Sequence, residues 1–186
     1  MKRLFDLVFA ITATLMLGIP AFFVAITVRL TSPGPALYWS ARIGRNNLLF
    51  KMPKFRSMTL GTPAVATHLL QEPNAYLTSI GNFLRTSSID ELPQLWSILR
   101  GDMSLIGPRP ALFNQKDLIE LRTKEGVHLI MPGLTGWAQV NGRDDLSIEE
   151  KVALDSYYLN NQSLWLDLKI LWLTFFKVTR RQDVSH

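Results

Sequence analysis

Cysteine is absent from the 186 residues. Disulfides, thiolate metal sites and cysteine nucleophiles are thereby excluded, while the redox compartment stays open. Histidine is scarce, and none of His68, His128 and His186 adjoins the carboxylate motif described below. Internal repeats and low-complexity tracts are missing. The length suits one domain plus a membrane element. Acidic residues are outnumbered, 15 Asp and Glu against 20 Lys and Arg. That balance favours anionic partners such as nucleic acid, acidic lipid or a phosphorylated substrate, although ordinary solubilising charge gives the same count.

Charge is also missing from one long stretch. Leu7 to Val28 carries no ionisable side chain. As a helix, its 22 or so residues would reach roughly 33 Å, enough for a bilayer core. The run is too long for a secretory signal, and Arg29-Leu-Thr-Ser-Pro-Gly-Pro35 is a poor cleavage site. Two readings stay open. One is a straight span. The other is a re-entrant helix–break–helix, because Gly18-Ile-Pro20 lies at the midpoint and basic residues (Lys2, Arg3, Arg29) flank both ends.

Beyond the turn-rich Thr31-Ser-Pro-Gly-Pro35, Tyr38-Trp39 and Leu48-Leu-Phe50 suit short strands or interfacial segments. Phe50 to Met58 interleaves Lys51, Lys54 and Arg56 with hydrophobes, as a solvated edge strand or a phosphate or headgroup contact would. Residues 61–79 read as a polar loop with room for a short helix, His68 lying on its surface. Leu92, Leu95, Trp96 and Leu99 repeat at helical spacing, so a helix is expected over Asp90–Arg100, stopped by Gly101. Pro93 puts its cap near Asp90; a cap at Ser88 paired with Glu91 is the alternative. Asn114–Lys124 reads as a second helix, and Met131–Arg143 as a glycine-punctuated loop or tight hairpin. Ser147 opens a helix to Tyr158. Leu164–Val178 is amphipathic, with Trp165, Trp172, Phe175 and Phe176 on its apolar face and a basic end, suited to the core or to a membrane interface.

The richest motif is Arg85-Thr-Ser-Ser-Ile-Asp-Glu-Leu-Pro-Gln-Leu-Trp96, followed by Gly101-Asp-Met-Ser-Leu-Ile-Gly-Pro-Arg-Pro110. Asp90 and Glu91 alone read as helix-cap chemistry. Flanked by Arg85 and Arg109, they also suit a metal-assisted reaction on a phosphate ester. Adjacent helical residues point about 100° apart, so the pair can divide two tasks, attack and metal binding. Mg²⁺ is content with one or two carboxylates plus substrate phosphates. An ionised carboxylate needs no general base to attack phosphorus. Pro108 and Pro110 restrict the backbone around Arg109 and present a guanidinium suited to bidentate phosphate contact.

These blocks, in this order, resemble the monotopic bacterial phosphoglycosyl transferases. The likeness also runs through Ser32-Pro-Gly-Pro35, Arg42-Ile-Gly44, Lys54-Phe-Arg-Ser-Met58, Pro132-Gly-Leu-Thr-Gly136 and Gln139-Val-Asn-Gly-Arg143. It implies transfer of a sugar 1-phosphate from a UDP-sugar, most often an N-acetylated amino sugar, to undecaprenyl phosphate. UMP leaves, and the reaction is ping-pong. By the resemblance Asp90 is the nucleophile and Glu91 holds Mg²⁺. Arg85 and Arg109 contact the phosphates or nucleotide, and Lys54, Arg56, Pro108, Pro110, Gln139 and Arg143 join the substrate-binding set. The implied fold is mainly α with short β elements. A re-entrant membrane helix (residues 1–31) precedes a small globular catalytic domain (32–186) with amphipathic interfacial helices, on the cytoplasmic face of the bacterial inner membrane.

Two departures stand out. Ile19-Pro20 replaces the family's frequent Ser-Pro, and Ser40 stands where glutamine is common. The chain lacks the extra membrane helices of larger relatives and looks like the minimal form. Nucleic acid is not an expected partner, because the cations sit among Gly/Pro motifs rather than along one element. A non-enzymatic membrane scaffold would leave the Asp-Glu and Pro-Arg-Pro motifs unexplained.

Overall fold

The computed structural model describes residues 2–63, 65, 71–142 and 145–180. It is mainly helical with short strands. The first element, α1 (Lys2–Thr31), is long and apolar enough to cross a membrane by length and composition. It is one helix through Pro20, not two separated at Gly18-Ile-Pro20. Leu4, Leu15, Met16, Ile19, Phe22, Phe23 and Leu30 are exposed along it. Its contact side is built of small residues. Ala10 and Ala13 meet the main core with Ile98, Met103 and Leu105, while Ala21, Ala25 and Val28 meet a second cluster with Phe55 and Leu84. Small side chains let helix backbones approach closely.

Both ends of α1 are pinned to the same globular body. At the start, Lys2 bonds Asp167 Oδ2 at 2.8 Å and the Tyr158 hydroxyl at 3.0 Å. Arg3 donates to the carbonyls of Ile98 and Leu99. Buried Asp6 accepts from the Leu105 amide at 3.0 Å. At the other end, Arg29 donates to Gly34 O, and Arg56 grips Ser32 and Pro33 in the turn that follows.

The two apolar segments after that turn are strands. β1 (Leu37–Ile43) and β2 (Leu49–Phe55) pair antiparallel, Ile43 opposite Leu49 and Leu37 opposite Phe55. Asn46 and Asn47 take left-handed φ in the connection, a region asparagine tolerates better than most. The expected loop over 61–79 carries a 3₁₀ turn, Pro73–Tyr76; His68 lies outside the described residues.

After α2 (Gly81–Thr86), the expected helix at Asp90 arrives differently. A 3₁₀ segment, Ile89–Gln94, precedes α3 (Leu95–Arg100). Ser88 is left-handed at φ 56°, and its side chain caps nothing, so neither expected cap forms. The tighter 3₁₀ path accommodates Pro93, and Gly101 ends α3 with positive φ as expected.

The stretch Met131–Arg143 is not a hairpin. β4 (Gly133–Thr135) pairs parallel with β3 (Ser104–Ile106), and α5 (Trp137–Val140) follows. Three glycines explain the crossing. A Cβ on Gly107 would collide with Met131 O, one on Gly133 with the Gly107 amide, and one on Gly136 with Gly107 O. Two motifs far apart in sequence therefore touch backbone to backbone. α4 (Lys116–Lys124) starts two residues later than expected and packs on α6 (Ile148–Asn160). A reciprocal Ser147–Glu150 capping box opens α6. In α7 (Leu164–Arg180), Leu166 and Ile170 enter the core while Trp165, Trp172 and Phe175 stay exposed.

Candidate active site

A cleft of about 330 Å³ opens between the β1–β2 hairpin, the 3₁₀ segment and the Pro-Arg-Pro stretch. Asp90, Glu91, Arg85, Arg109, Lys54, Arg56, Pro110 and Gln139 all line it. Pro108 does not; its carbonyl accepts from the Gly133 amide at the strand crossing. Arg143 lies outside the described residues.

The left-handed Ser88 turns the chain so that the next two acids face the hairpin. Glu91 Oε1 accepts from Lys54 Nζ at 2.8 Å and from Arg109 Nη2 at 2.7 Å. Asp90 Oδ2 stands 3.9 Å from the same Lys54 nitrogen. Lys54 reaches inward from β2, so the segment expected to be either a solvated edge strand or a phosphate or headgroup contact delivers a cation to the acids. Arg85 lies beside Met58 Sδ. Arg56 spends its guanidinium on Ser32 and Pro33, at the wall of the cleft. Gln139 donates to Leu134 O at 2.9 Å.

Burial holds the Asp90 carboxyl above its ordinary value, with Lys54 the strongest opposing influence. Burial likewise pulls the Lys54 ammonium down, and Glu91 opposes that most. Arg42 is lowered to about 10, first by burial and then by Arg109. These are charges packed closely in a partly dry site. Among the described residues, seven cationic side chains line the cleft against two carboxylates, so an anion entering it meets an excess of positive charge.

No group of three or more acid or histidine side chains converges as a metal site among the described residues. Mg²⁺ does not need one, because it binds through one or two carboxylates and completes its shell with water and phosphate oxygens. The adjacent Asp90 and Glu91 fit that donor set.

Reading the sequence missed three contributors. Arg42 was part of a motif with no assigned role; it donates to Pro110 O at 3.1 Å and to Ser40 Oγ at 2.9 Å. Arg122 and Asp155 read as ordinary helix charges; they meet at 2.6 Å at the deep wall of the cleft, which Arg122 itself lines. The signal available was position: each shares a face with apolar neighbours one turn away, Leu118 for Arg122 and Val152 for Asp155.

The chain matches the bacterial sugar transferase family across residues 1–181 and belongs to it. It is 43% identical to an uncharacterised sugar transferase, EpsL, of Bacillus subtilis, covering 100% of this chain and 90% of that one. It is 41% identical to the undecaprenyl-phosphate glucose phosphotransferase of Komagataeibacter xylinus over 93% of this chain, and 39% identical to the UDP-glucose:undecaprenyl-phosphate glucose-1-phosphate transferase of Escherichia coli over 95%. The chain spans 35% and 40% of the length of those two larger proteins.

Proposed function

We propose that this transferase moves a sugar 1-phosphate from a UDP-sugar to undecaprenyl phosphate and releases UMP. The observation that carries the reading is the buried Asp90 beside Glu91, with Lys54 and Arg109 both bonded to Glu91 in a cation-rich cleft. In the first half-reaction an Asp90 carboxylate oxygen attacks the β-phosphorus. The bond to the UMP oxygen breaks, and UMP leaves with the electron pair. In the second, an oxygen of the lipid phosphate attacks the same phosphorus and returns the Asp90 carboxylate. Arg109 and Lys54 exchange their bond to Glu91 for the incoming phosphates, and Arg85 adds a further cation. Glu91 would hold Mg²⁺, which when bound neutralises charge on the diphosphate.

Two of the relatives are named for glucose, while the resemblance favours an N-acetylated amino sugar. A UMP-release panel with undecaprenyl phosphate, Mg²⁺, UDP-glucose, UDP-galactose, UDP-N-acetylglucosamine and UDP-N-acetylgalactosamine chooses between them. Without lipid, an active enzyme should release at most about one UMP per site and gain a sugar phosphate on the Asp90 peptide. Sustained turnover without lipid, or no UMP from any donor, rejects the reading.

We also propose that α1 is seated in the cytoplasmic leaflet of the inner membrane without crossing it. Both of its ends bond to one globular body, and a crossing helix would carry one end away. Its exposed apolar side and the aromatic residues of α7 supply the lipid-facing surface. Single cysteines at Leu4 and Leu30 should both resist an impermeant thiol reagent applied outside spheroplasts. Labelling of one alone would establish a span.

A further inference from the structure

Arg109 sits in an irregular segment between two prolines. Arg122 Nη1 donates to Arg109 O at 2.8 Å. The next carbonyl, that of Pro110, takes Arg42 Nη1 at 3.1 Å. The rest of the Arg122 fork turns the other way. Its Nε and Nη2 both donate to Asp155 Oδ2, at 2.9 and 2.6 Å. Asp155 is 1% exposed and Arg122 9%. The chain of contacts thus runs from α6 through α4 to the backbone of a cleft arginine.

We propose that Asp155 and Arg122 form a positioning pair that fixes the Arg109 backbone, and through it the guanidinium offered to the substrate phosphates. The proposal rests on the transferase reading given above. Stability alone is a poor reason for such a pair, because well-packed apolar residues usually serve a core as well as a buried ion pair does. What apolar residues cannot supply is the third hydrogen bond, directed at Arg109 O. A planar guanidinium makes three fixed bonds at once, two to the acid and one to the carbonyl. Lysine is a point charge on a flexible stem and would have to choose. Prolines on both sides leave Arg109 few ways to recover if its carbonyl drifts.

Two variants of the full chain test this, Arg122→Lys and the double substitution Arg122→Met with Asp155→Leu. The first keeps the charge pair; the second removes both charges at similar volume. Melting temperature, kcat and KM for UMP release, and UDP affinity by calorimetry are measured. Both variants should fold and lose about 10- to 100-fold in kcat/KM, the loss expected when a reacting group is misplaced by about an ångström. UDP should bind correspondingly more weakly. In an Arg109→Ala background the same changes should shift UDP affinity by less than about twofold, since the pair acts through Arg109. Wild-type kcat/KM in either folded variant overturns the proposal. So does an undiminished effect on UDP affinity in the Arg109→Ala background, and so does failure of both variants to fold, which would make the pair a core element. Wild-type protein that binds UDP yet releases no UMP removes the proposed activity alone, because the UDP affinities still decide the pair's role. Absence of UDP binding in the wild type overturns both.

Discussion

Two carboxylate–arginine pairs meet at the Pro-Arg-Pro segment. Glu91 and Arg109 face the cleft, with side chains 14% and 29% exposed. Asp155 and Arg122 lie deeper, at 2% and 11%, with Arg122 reaching the cleft wall. Bond lengths are nearly equal, 2.7 and 2.6 Å, so contact distance does not separate them. Surroundings do. Glu91 shares its oxygen with Lys54 beside a second carboxylate, an arrangement an entering phosphate can take apart. Asp155 is sealed, with Arg122 as its directed partner and a carbonyl as the third member. On the proposed reading, one ion-pair chemistry serves an exchangeable site and a fixed support, and water access decides which.

The sharpest way to break the comparison is at Asp90, the proposed nucleophile. Asp90→Asn should abolish UMP release, by on the order of 10⁴-fold or more, with little change in melting temperature. A folded, active variant would reduce Asp90 to a structural turn residue. On the sealed side the order of effects should invert. Asp155→Ala leaves Arg122 charged and buried, so chemical denaturation should register a loss of about 3–5 kcal/mol. A loss under 1 kcal/mol would mean water reaches that pair. Glu91→Gln should lower the rate about 10- to 100-fold and flatten the Mg²⁺ dependence. Unchanged metal dependence at wild-type rate would move the two pairs into one structural class. The mildest contrast is Ser147→Ala, remote from both. It should cost about 1 kcal/mol and leave kcat alone. The Ser147 bonds lower the Glu150 pKa. The share of the cap carried by the Glu150 carboxylate is therefore full above the ordinary glutamate range and fades as pH falls through the lowered value, so the gap between variant and wild type should narrow in acid without closing, because the Glu150 amide bond to Ser147 Oγ does not titrate.

What could be read from sequence was local. Asp90, Glu91, Arg109 and Pro110 declare themselves by neighbours in the chain, and the structure gathers them with Arg85 and Lys54 in one cleft, leaving Pro108 outside it. The α6 and α7 helices were legible from their periodicity and from Ser147. The strand crossing was not, because it joins Gly107 to Gly133 and Gly136 across a helix and a loop. A glycine in sequence suggests a turn long before it suggests a neighbouring backbone. The Ser88 turn was hidden for a related reason: serine carries no signal for left-handed φ. Arg122 and Asp155 each look like one more charge on an amphipathic helix until α4 and α6 are docked.

The way α1 is held has a consequence for how this chain is made. Ala10 and Val28 are wholly enclosed, and each belongs to a different cluster of the globular body. The hydrophobic helix is therefore part of the core's own masonry. A fragment beginning at Ser32 would bare Ile98, Leu105, Phe55 and Leu84 at once, and should precipitate rather than yield a soluble catalytic domain. Completion of the core must then wait on synthesis, since the ribosome delivers the helix first and its enclosing partners only later.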